Sequence, residues 1–341
     1  MEWIECKAPT RVDLCGGTLD ISPLHRLIIN PVTLNIAVGL YAKVKGRSLD
    51  SNVFSLKSVD QGLVVKGSYN DVIKTKELPI VGLVLEHLWK EAWPALEIEV
   101  SAESPKGAGL GGSSSIAVAV VWLIIKLRDQ LDLEPMTTDD HSIVQIAQDI
   151  ETQLIRVPTG CQDYWGALKG GANIIRFPPG NSLVTNIFND DIFQISRKML
   201  LCYSGKSRAS ADNNWKIFRK FFDGDEEVCR GLQEIADYSN QVAHAFLKGE
   251  WSEVIEGSKR EWNARLCLWP GIETNETQLI DRAAIKAGAA FTRICGAGGG
   301  GVMAIFANEG SHEKVIRAVQ SVGGSVLKAN LGVEGLSVDR E

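Results

Sequence analysis

The chain has no hydrophobic run long enough to span a bilayer. Its longest, Ile116 to Ile125, stops at Lys126, whereas a membrane helix needs about 20 apolar residues, so this run reads as a buried helix. The opening residues Met1 to Glu5 lack the basic and then apolar order of a secretory leader, and a cytoplasmic protein is expected. The 7 cysteines are odd in number and contain no Cys-x-x-Cys pair, which points to reduced thiols and not to a disulfide framework. The 5 histidines are scattered, and no His-Glu-x-x-His zinc pattern occurs. Basic charge is also short: 36 Lys and Arg face 42 Asp and Glu, a net charge of −6 that argues against a nucleic-acid surface. What is present, 341 residues with 45% hydrophobic and 23% charged side chains, suits a globular protein of two domains.

The most informative stretch is Pro105-Lys-Gly-Ala-Gly-Leu-Gly-Gly-Ser-Ser-Ser115. It follows Ala95 to Ala102, which alternates with the period of a half-buried strand, and precedes Ile116 to Leu131, which is apolar over several helical turns. Gly107, Gly109, Gly111 and Gly112 carry no Cβ, so backbone N–H groups there can approach an anion. Ser113, Ser114 and Ser115 add hydroxyls at the positive end of the helix dipole. Two better-known phosphate loops fail on context. A dinucleotide fingerprint would match Gly107, Gly109 and Gly112, but the acidic residue about 20 positions on should end a second strand, and Asp132 ends a helix. A Walker loop needs Gly-Lys-Ser or Gly-Lys-Thr at its end. Gly205-Lys206-Ser207 supplies that ending, but Leu200 stands where the first glycine is required.

Along the chain, strands are expected near Ile4 to Ala8, Leu34 to Lys45, Val53 to Val59 and Leu63 to Gly67, and a helix from Ile80 to Ala92. A second helix is expected from Asp139 to about Ile155, then a strand from Asn173 to Phe177. Pro178-Pro-Gly-Asn-Ser182 is the clearest linker, and a domain boundary is expected there, dividing residues 1–180 from 181–341. Beyond it, strand patterns at Lys198 to Tyr203 and Val302 to Ala307 alternate with helical ones at Glu226 to Lys248, Glu250 to Arg265 and Glu276 to Ala287.

Pro105-x-x-x-Gly109-Leu-Gly111-Gly-Ser113-Ser114 resembles the second signature of the GHMP kinases, the family of galactokinase, homoserine kinase, mevalonate kinase and phosphomevalonate kinase. Ala8-Pro-Thr-Arg11-Val-Asp-Leu-Cys-Gly16-Gly-Thr-Leu-Asp20 is similar to the first signature and Ile294-Cys-Gly-Ala-Gly-Gly-Gly-Gly-Val302 to the third, in the family's order. Within the family, Gly16 to Pro23, Gly160-Cys-Gln-Asp163 and Tyr203 to Arg208 look most like the heptose-phosphate kinases. Gly112 departs from the family in standing where serine is common, and Thr10 where glycine or leucine often occurs.

The resemblance implies an α+β fold of two domains, the first like ribosomal protein S5 domain 2 and the second ferredoxin-like, with the site between them. It implies an ATP- and Mg²⁺-dependent transfer to a hydroxyl of a sugar or sugar phosphate, with the anomeric hydroxyl of a heptose 7-phosphate as leading substrate. Galactose, fucose and mevalonate types remain alternatives. By the same resemblance Pro105, Gly107, Ala108, Gly109, Leu110, Gly111, Gly112, Ser113, Ser114 and Ser115 hold ATP, and Ser113 with Glu151 holds the metal. Glu151 lies beside the helical stripe Ile143, Ile146, Ala147, Ile150 and Leu154, where a carboxylate can reach a site. Asp163, which alone would read as a helix N-cap, becomes the catalytic carboxylate, and Arg11 the cation beside it. Asp20 is expected to accept hydroxyl hydrogen bonds of a polyol, within a substrate set of Gly17, Thr18, Gly160, Gly298 and Gly299. Lys206 and Arg208 would receive a second phosphate. A small-molecule substrate is thus the expected partner, with neither nucleic acid nor membrane, and a homodimer is an open expectation. Three other readings stay open: an NAD(P)-dependent oxidoreductase, a sensor that binds without turnover, and an ATP-using decarboxylase of the mevalonate branch.

Overall fold

The computed structural model describes residues 2–136, 139–188, 191–206 and 211–340. Two long antiparallel strands, β1 (Ile4–Cys15) and β2 (Val32–Ser48), form its spine. In one half of each, buried and half-buried residues alternate; in the other, around Ala8 to Cys15 and Val32 to Val38, both faces are buried. Continuous burial marks a strand covered on two sides. The strand expected over 4–8 therefore runs on to Cys15, because alternation stops where the second face gains a cover.

Six further strands complete an eight-stranded sheet: β3 (Phe54–Ser58), β4 (Leu63–Gly67), β5 (Leu96–Ala102), β6 (Ala172–Arg176), β7 (Leu183–Ile187) and the chain's last, Ser337–Arg340. The length of β2 lets it serve two neighbours in succession, β6 along Val32–Ile36 and β5 along Ala42–Ser48. β3 pairs with β5 in parallel and with β4 antiparallel. Helices Pro79–Leu88, Gly112–Gln130, Asp140–Ile155 and Gln162–Lys169 pack on one face of this sheet, and their buried Val, Leu and Ile side chains form one core with Ile4, Val44 and Ile98. The helix expected over 80–92 ends at Leu88, where Trp89 turns to extended backbone and its indole N–H finds the Pro94 carbonyl at 3.1 Å.

A smaller four-stranded antiparallel sheet contains β8 (Met199–Tyr203), β9 (Ala289–Ile294), β10 (Val302–Ala307) and β11 (Ser325–Leu327), in the order β11-β8-β10-β9. Helices Glu226–Lys248 and Trp251–Leu268 lie across the inner halves of β1 and β2, so Val12, Leu14 and Leu34 share a core with Ile235, Trp262 and Phe306. The expected division at 180/181 falls within the β6–β7 hairpin of the first sheet. The final strand, β12 (Ser337–Arg340), returns from the second sheet to pair with Ile4–Lys7 of β1. Among the described residues, no helix is long and apolar enough to cross a membrane.

Candidate active site

Three glycine-bearing segments distant in sequence meet at the junction of the two sheets. Gly107, Gly109 and Gly111 take φ values of 68°, 78° and 75°, the left-handed region in which a side chain is strained. The Arg11 N–H of β1 donates to the Leu110 carbonyl at 2.9 Å, and the Val302 N–H of β10 donates to the Ala108 carbonyl at 2.7 Å. The 105–111 loop is thus pinned from both sides. A Cβ at Gly301 would come 2.5 Å from the Ala108 carbonyl oxygen, so the two loops meet only because glycine stands there.

Beyond the loop, the helix begins at Gly112, one turn before the expected Ile116, which places all three serines in its first turn. Ser115 Oγ donates to the Pro9 carbonyl at 2.8 Å and ties the helix to β1. Ser113 Oγ and Ser114 Oγ both donate to the carboxylate of Glu151, as does the Tyr164 hydroxyl at 2.7 Å. Glu151 is buried well inside its helix's packed face. Burial pushes its pKa up, three hydroxyl donors pull it down, and the Asp163 charge adds to the upward push. Among the described residues no basic side chain pairs with it, so a divalent cation would supply the missing countercharge. A hard cation that keeps waters and phosphate oxygens fits a donor set of one carboxylate and one hydroxyl.

The helix Gln162–Lys169 carries the next carboxylate. Cys161, not Asp163, occupies its N-cap; Asp163 lies inside the first turn, at the positive end of the dipole. Arg11 Nε donates to Asp163 Oδ1 at 2.7 Å while its Nη1 donates to the Gly109 carbonyl at 2.7 Å. One guanidinium therefore joins the carboxylate to the glycine loop. The Asp163 side chain keeps 23% of its surface open, against 5% for Arg11, so the acid is left accessible while its partner is not. Burial opposes the Arg11 charge, but Asp163 and Asp13 hold its pKa above the ordinary value. Gly111 backs directly onto this acid: a Cβ there would come 3.0 Å from the Asp163 carboxyl.

Asp20 closes the other side. Its Oδ2 accepts the Gln162 N–H at 3.0 Å, and burial pushes its pKa up to about 6. A Cβ on Gly160 would fall 2.0 Å from that same oxygen, which accounts for the glycine. Behind Asp20 runs a buried ionic cluster. Arg293 Nη2 donates to Asp13 Oδ2 at 2.7 Å and its Nη1 to Glu261 Oε2 at 3.1 Å; Arg265 Nη2 donates to Glu261 Oε1 and to the Gly17 carbonyl, the latter at 2.7 Å. Arg265 Nη1 donates to Thr18 Oγ1 at 3.1 Å, and that hydroxyl donates to Asn214 Oδ1 at 3.0 Å. Thr18 itself has φ 72°, a strained value for a threonine that these partners hold in place. Asp13 Oδ1 accepts the Gly296 N–H at 2.8 Å, which fixes the start of the 296–301 loop. Although burial alone would raise the Asp13 pKa, Arg293, Arg11 and Arg265 hold it below the usual carboxylate range.

The structure thus gathers Arg11, Gly17, Thr18, Asp20, Gly160, Asp163, Glu151 and the 105–115 segment. Gly298 and Gly299 stand beside Ile272, whose carbonyl accepts the Gly299 N–H at 2.7 Å, and Asn213 Nδ2 ties Gly271 to Ala297. The Lys206 carbonyl accepts the Gly301 N–H at 2.9 Å, so its backbone adjoins the same seam, while its ammonium pairs with Glu276 at 3.4 Å in the open. Arg208 lies outside the described residues. Sequence reasoning missed Tyr164, Asp13, Glu261, Arg265 and Arg293. Asp13 sits inside the first motif, and Glu261 and Arg265 stand four apart on one helix, but what they and Arg293 do depends on partners up to 280 positions away, and Tyr164 gains its meaning from Glu151.

The family model described as GHMP kinases N terminal domain matches residues 77–171, and that described as GHMP kinases C terminal matches residues 243–325. The chain is 23% identical to the D-glycero-alpha-D-manno-heptose 7-phosphate kinase of Campylobacter jejuni, covering 98% of each chain. It is also 23% identical to the mevalonate kinase of Pyrococcus abyssi, covering 97% of this chain and 96% of that one. Its fold matches the crystal structure of a D-glycero-D-manno-heptose 1-phosphate kinase from Bacteroides thetaiotaomicron with a TM-score of 0.77 at 19% identity, covering 98% of both chains.

Proposed function

We propose, from the premise that the chain belongs to the GHMP kinase family, that it transfers the γ-phosphoryl group of ATP to a hydroxyl of a sugar or sugar phosphate. A heptose 7-phosphate phosphorylated at its anomeric hydroxyl is the substrate we favour, since a heptose 7-phosphate kinase is among the relatives that align over nearly the whole chain. The observation that carries the reading is the Arg11 guanidinium bridging Asp163 to the Gly109 carbonyl, which puts an acid and a cation against a loop of glycines.

Phosphoryl transfer asks for position and charge neutralisation more than for covalent chemistry. In this reading the backbone of Pro105 to Gly112 and the hydroxyls of Ser113 to Ser115 hold the triphosphate at the helix's positive end. Asp163 orients the acceptor hydroxyl and takes its proton, and Arg11 steadies that carboxylate and the charge that develops at the loop. Ser113 and Glu151 would hold Mg²⁺, which when bound supplies positive charge to the phosphate oxygens. Asp20, Gly17, Thr18 and Gly160 bind the sugar, Gly298 and Gly299 let it approach backbone, and Lys206, with Arg208, receives a second phosphate.

The test is incubation with ATP, Mg²⁺ and a panel of sugars, sugar phosphates and mevalonate, followed by phosphorus NMR. A new sugar phosphate resonance is expected, and its coupling reports the hydroxyl. Asp163→Asn should lower turnover by about 10²–10⁴-fold with the fold retained. Undiminished turnover in a folded variant would sink the assignment.

A further inference from the structure

Buried polar atoms in folded proteins almost always have partners, so one without a partner asks for a ligand or water. Two such atoms belong to residues that are themselves hydrogen-bonded to each other: Asp20 Oδ1 and Gln162 Oε1. Both side chains are more than nine-tenths buried, at 2% and 4% exposure. The remaining oxygen of Asp20 is already used by the Gln162 N–H, so Oδ1 is spare. Glycine backbone lies close against both side chains: a Cβ at Gly17 would come 3.1 Å from Gln162 Nε2, and one at Gly160 would overlap Asp20 Oδ2 at 2.0 Å. Asp163, the next residue along the chain, is near enough for its charge to act on Asp20.

We infer that Gln162 is a substrate-binding residue: its Oε1 and Asp20 Oδ1 are paired acceptors that read two hydroxyls of one polyol and turn away carboxylate substrates. The inference rests on the proposed function only in placing the phosphate acceptor here. Two buried acceptors on residues joined by one hydrogen bond need donors, and a polyol brings them. A carboxylate-bearing acceptor such as mevalonate would meet Asp20 as a like charge. The nearby cations are committed elsewhere, Arg11 to Asp163 and the Gly109 carbonyl and Arg265 to Glu261, Thr18 and the Gly17 carbonyl. A site whose buried acceptors demand donors discriminates strongly against an analogue that lacks them.

The test compares the full-length protein with Gln162→Leu, a change that keeps volume and removes the acceptor. Binding of D-mannose, D-galactose, L-fucose, D-glycero-D-manno-heptose 7-phosphate and mevalonate is measured by titration calorimetry, with turnover measured separately. The expected result is that the best polyol binds roughly 10- to 100-fold more weakly to Gln162→Leu, with the KM for ATP and the melting temperature little changed. Mevalonate should bind neither protein. Equal polyol affinity in the two proteins, comparable binding of mevalonate, or no polyol binding at all would overturn the inference. Where Gln162→Leu does not fold, monodeoxy analogues of the best polyol are titrated into the unaltered protein. Losses of tenfold or more at two positions support the pair, and a loss at one or none overturns it. Polyol binding without phosphoryl transfer would instead sink the kinase reading alone.

Discussion

Asp20, a sugar-binding group in the proposed reading, shows at the scale of one residue how burying a carboxylate costs stability. Its folded pKa of about 6 lies above the ~3.9 of an unfolded aspartate, so the folded chain holds the proton more tightly. The stability this group contributes is therefore present below about pH 4 and is lost as pH rises through about 6. Asp20→Asn removes the buried charge and should raise stability at pH 7.5 by about 1–3 kcal/mol, read as a higher melting temperature. The gap to the unaltered protein should narrow on moving to pH 5, and a gap that is flat with pH would refute the assignment. Function should run the other way, because the ionised carboxylate is the stronger acceptor. The KM for the sugar should rise as pH falls through about 6, and Asp20→Asn should show a high KM without that dependence. Opposed effects on stability and binding are the mark of a site residue. Asp20 was legible in sequence from the first motif. Gln162 was not, since nothing in Gly160-Cys-Gln-Asp163 says that its backbone N–H reaches Asp20 or that its side-chain oxygen is buried without a partner.

At the scale of an element, the 105–111 loop is a rigid part, held by β1 through Arg11 and by β10 through Val302. Its glycines do different work. Gly107 and Gly109 accept left-handed backbone, whereas Gly111 in addition must lack a side chain because the Asp163 carboxyl occupies the space. Gly111→Ala should cost about 1–2 kcal/mol from the backbone alone. It should also lower kcat by at least tenfold by moving Asp163 or the loop, and denaturant melts with steady-state kinetics would measure both. A variant that melts normally and turns over normally would show the contact to be slack. The element itself was readable in advance, as a strand, a glycine run and a helix in succession. Its start was misjudged by a turn because Gly112 and three serines are poor helix formers. The serines are helical here because the Glu151 carboxylate and the Pro9 carbonyl occupy their hydroxyls.

At the scale of the whole molecule, the two sheets are joined by buried charge as much as by apolar packing. Arg293, on β9, meets Asp13 on β1 and Glu261 on the helix Trp251–Leu268, and all three side chains are fully buried. The Arg293 pKa is held high: burial opposes its charge, but Glu261 and Asp13 outweigh that. Arg293→Met would leave two carboxylates without their common partner, at a cost of about 3–5 kcal/mol. Equilibrium unfolding should show that loss together with a fall in turnover, since Asp13 also holds the Gly296 N–H; a loss under 1 kcal/mol would show that water reaches the cluster. Sequence by itself determined the three glycine motifs, their order, the five longest helices among the described residues and the strands whose alternation is clean, because those features depend on neighbours a few residues apart. It also marked Arg11, Asp20, Glu151 and Asp163 as the residues to watch. Only the tertiary structure decided that β1 runs to Cys15, that β7 and β12 complete the first sheet, and that Arg265 and Arg293 stand behind the site. Those outcomes depend on what covers a second face or neutralises a buried charge, and the groups that do so lie hundreds of residues away along the chain.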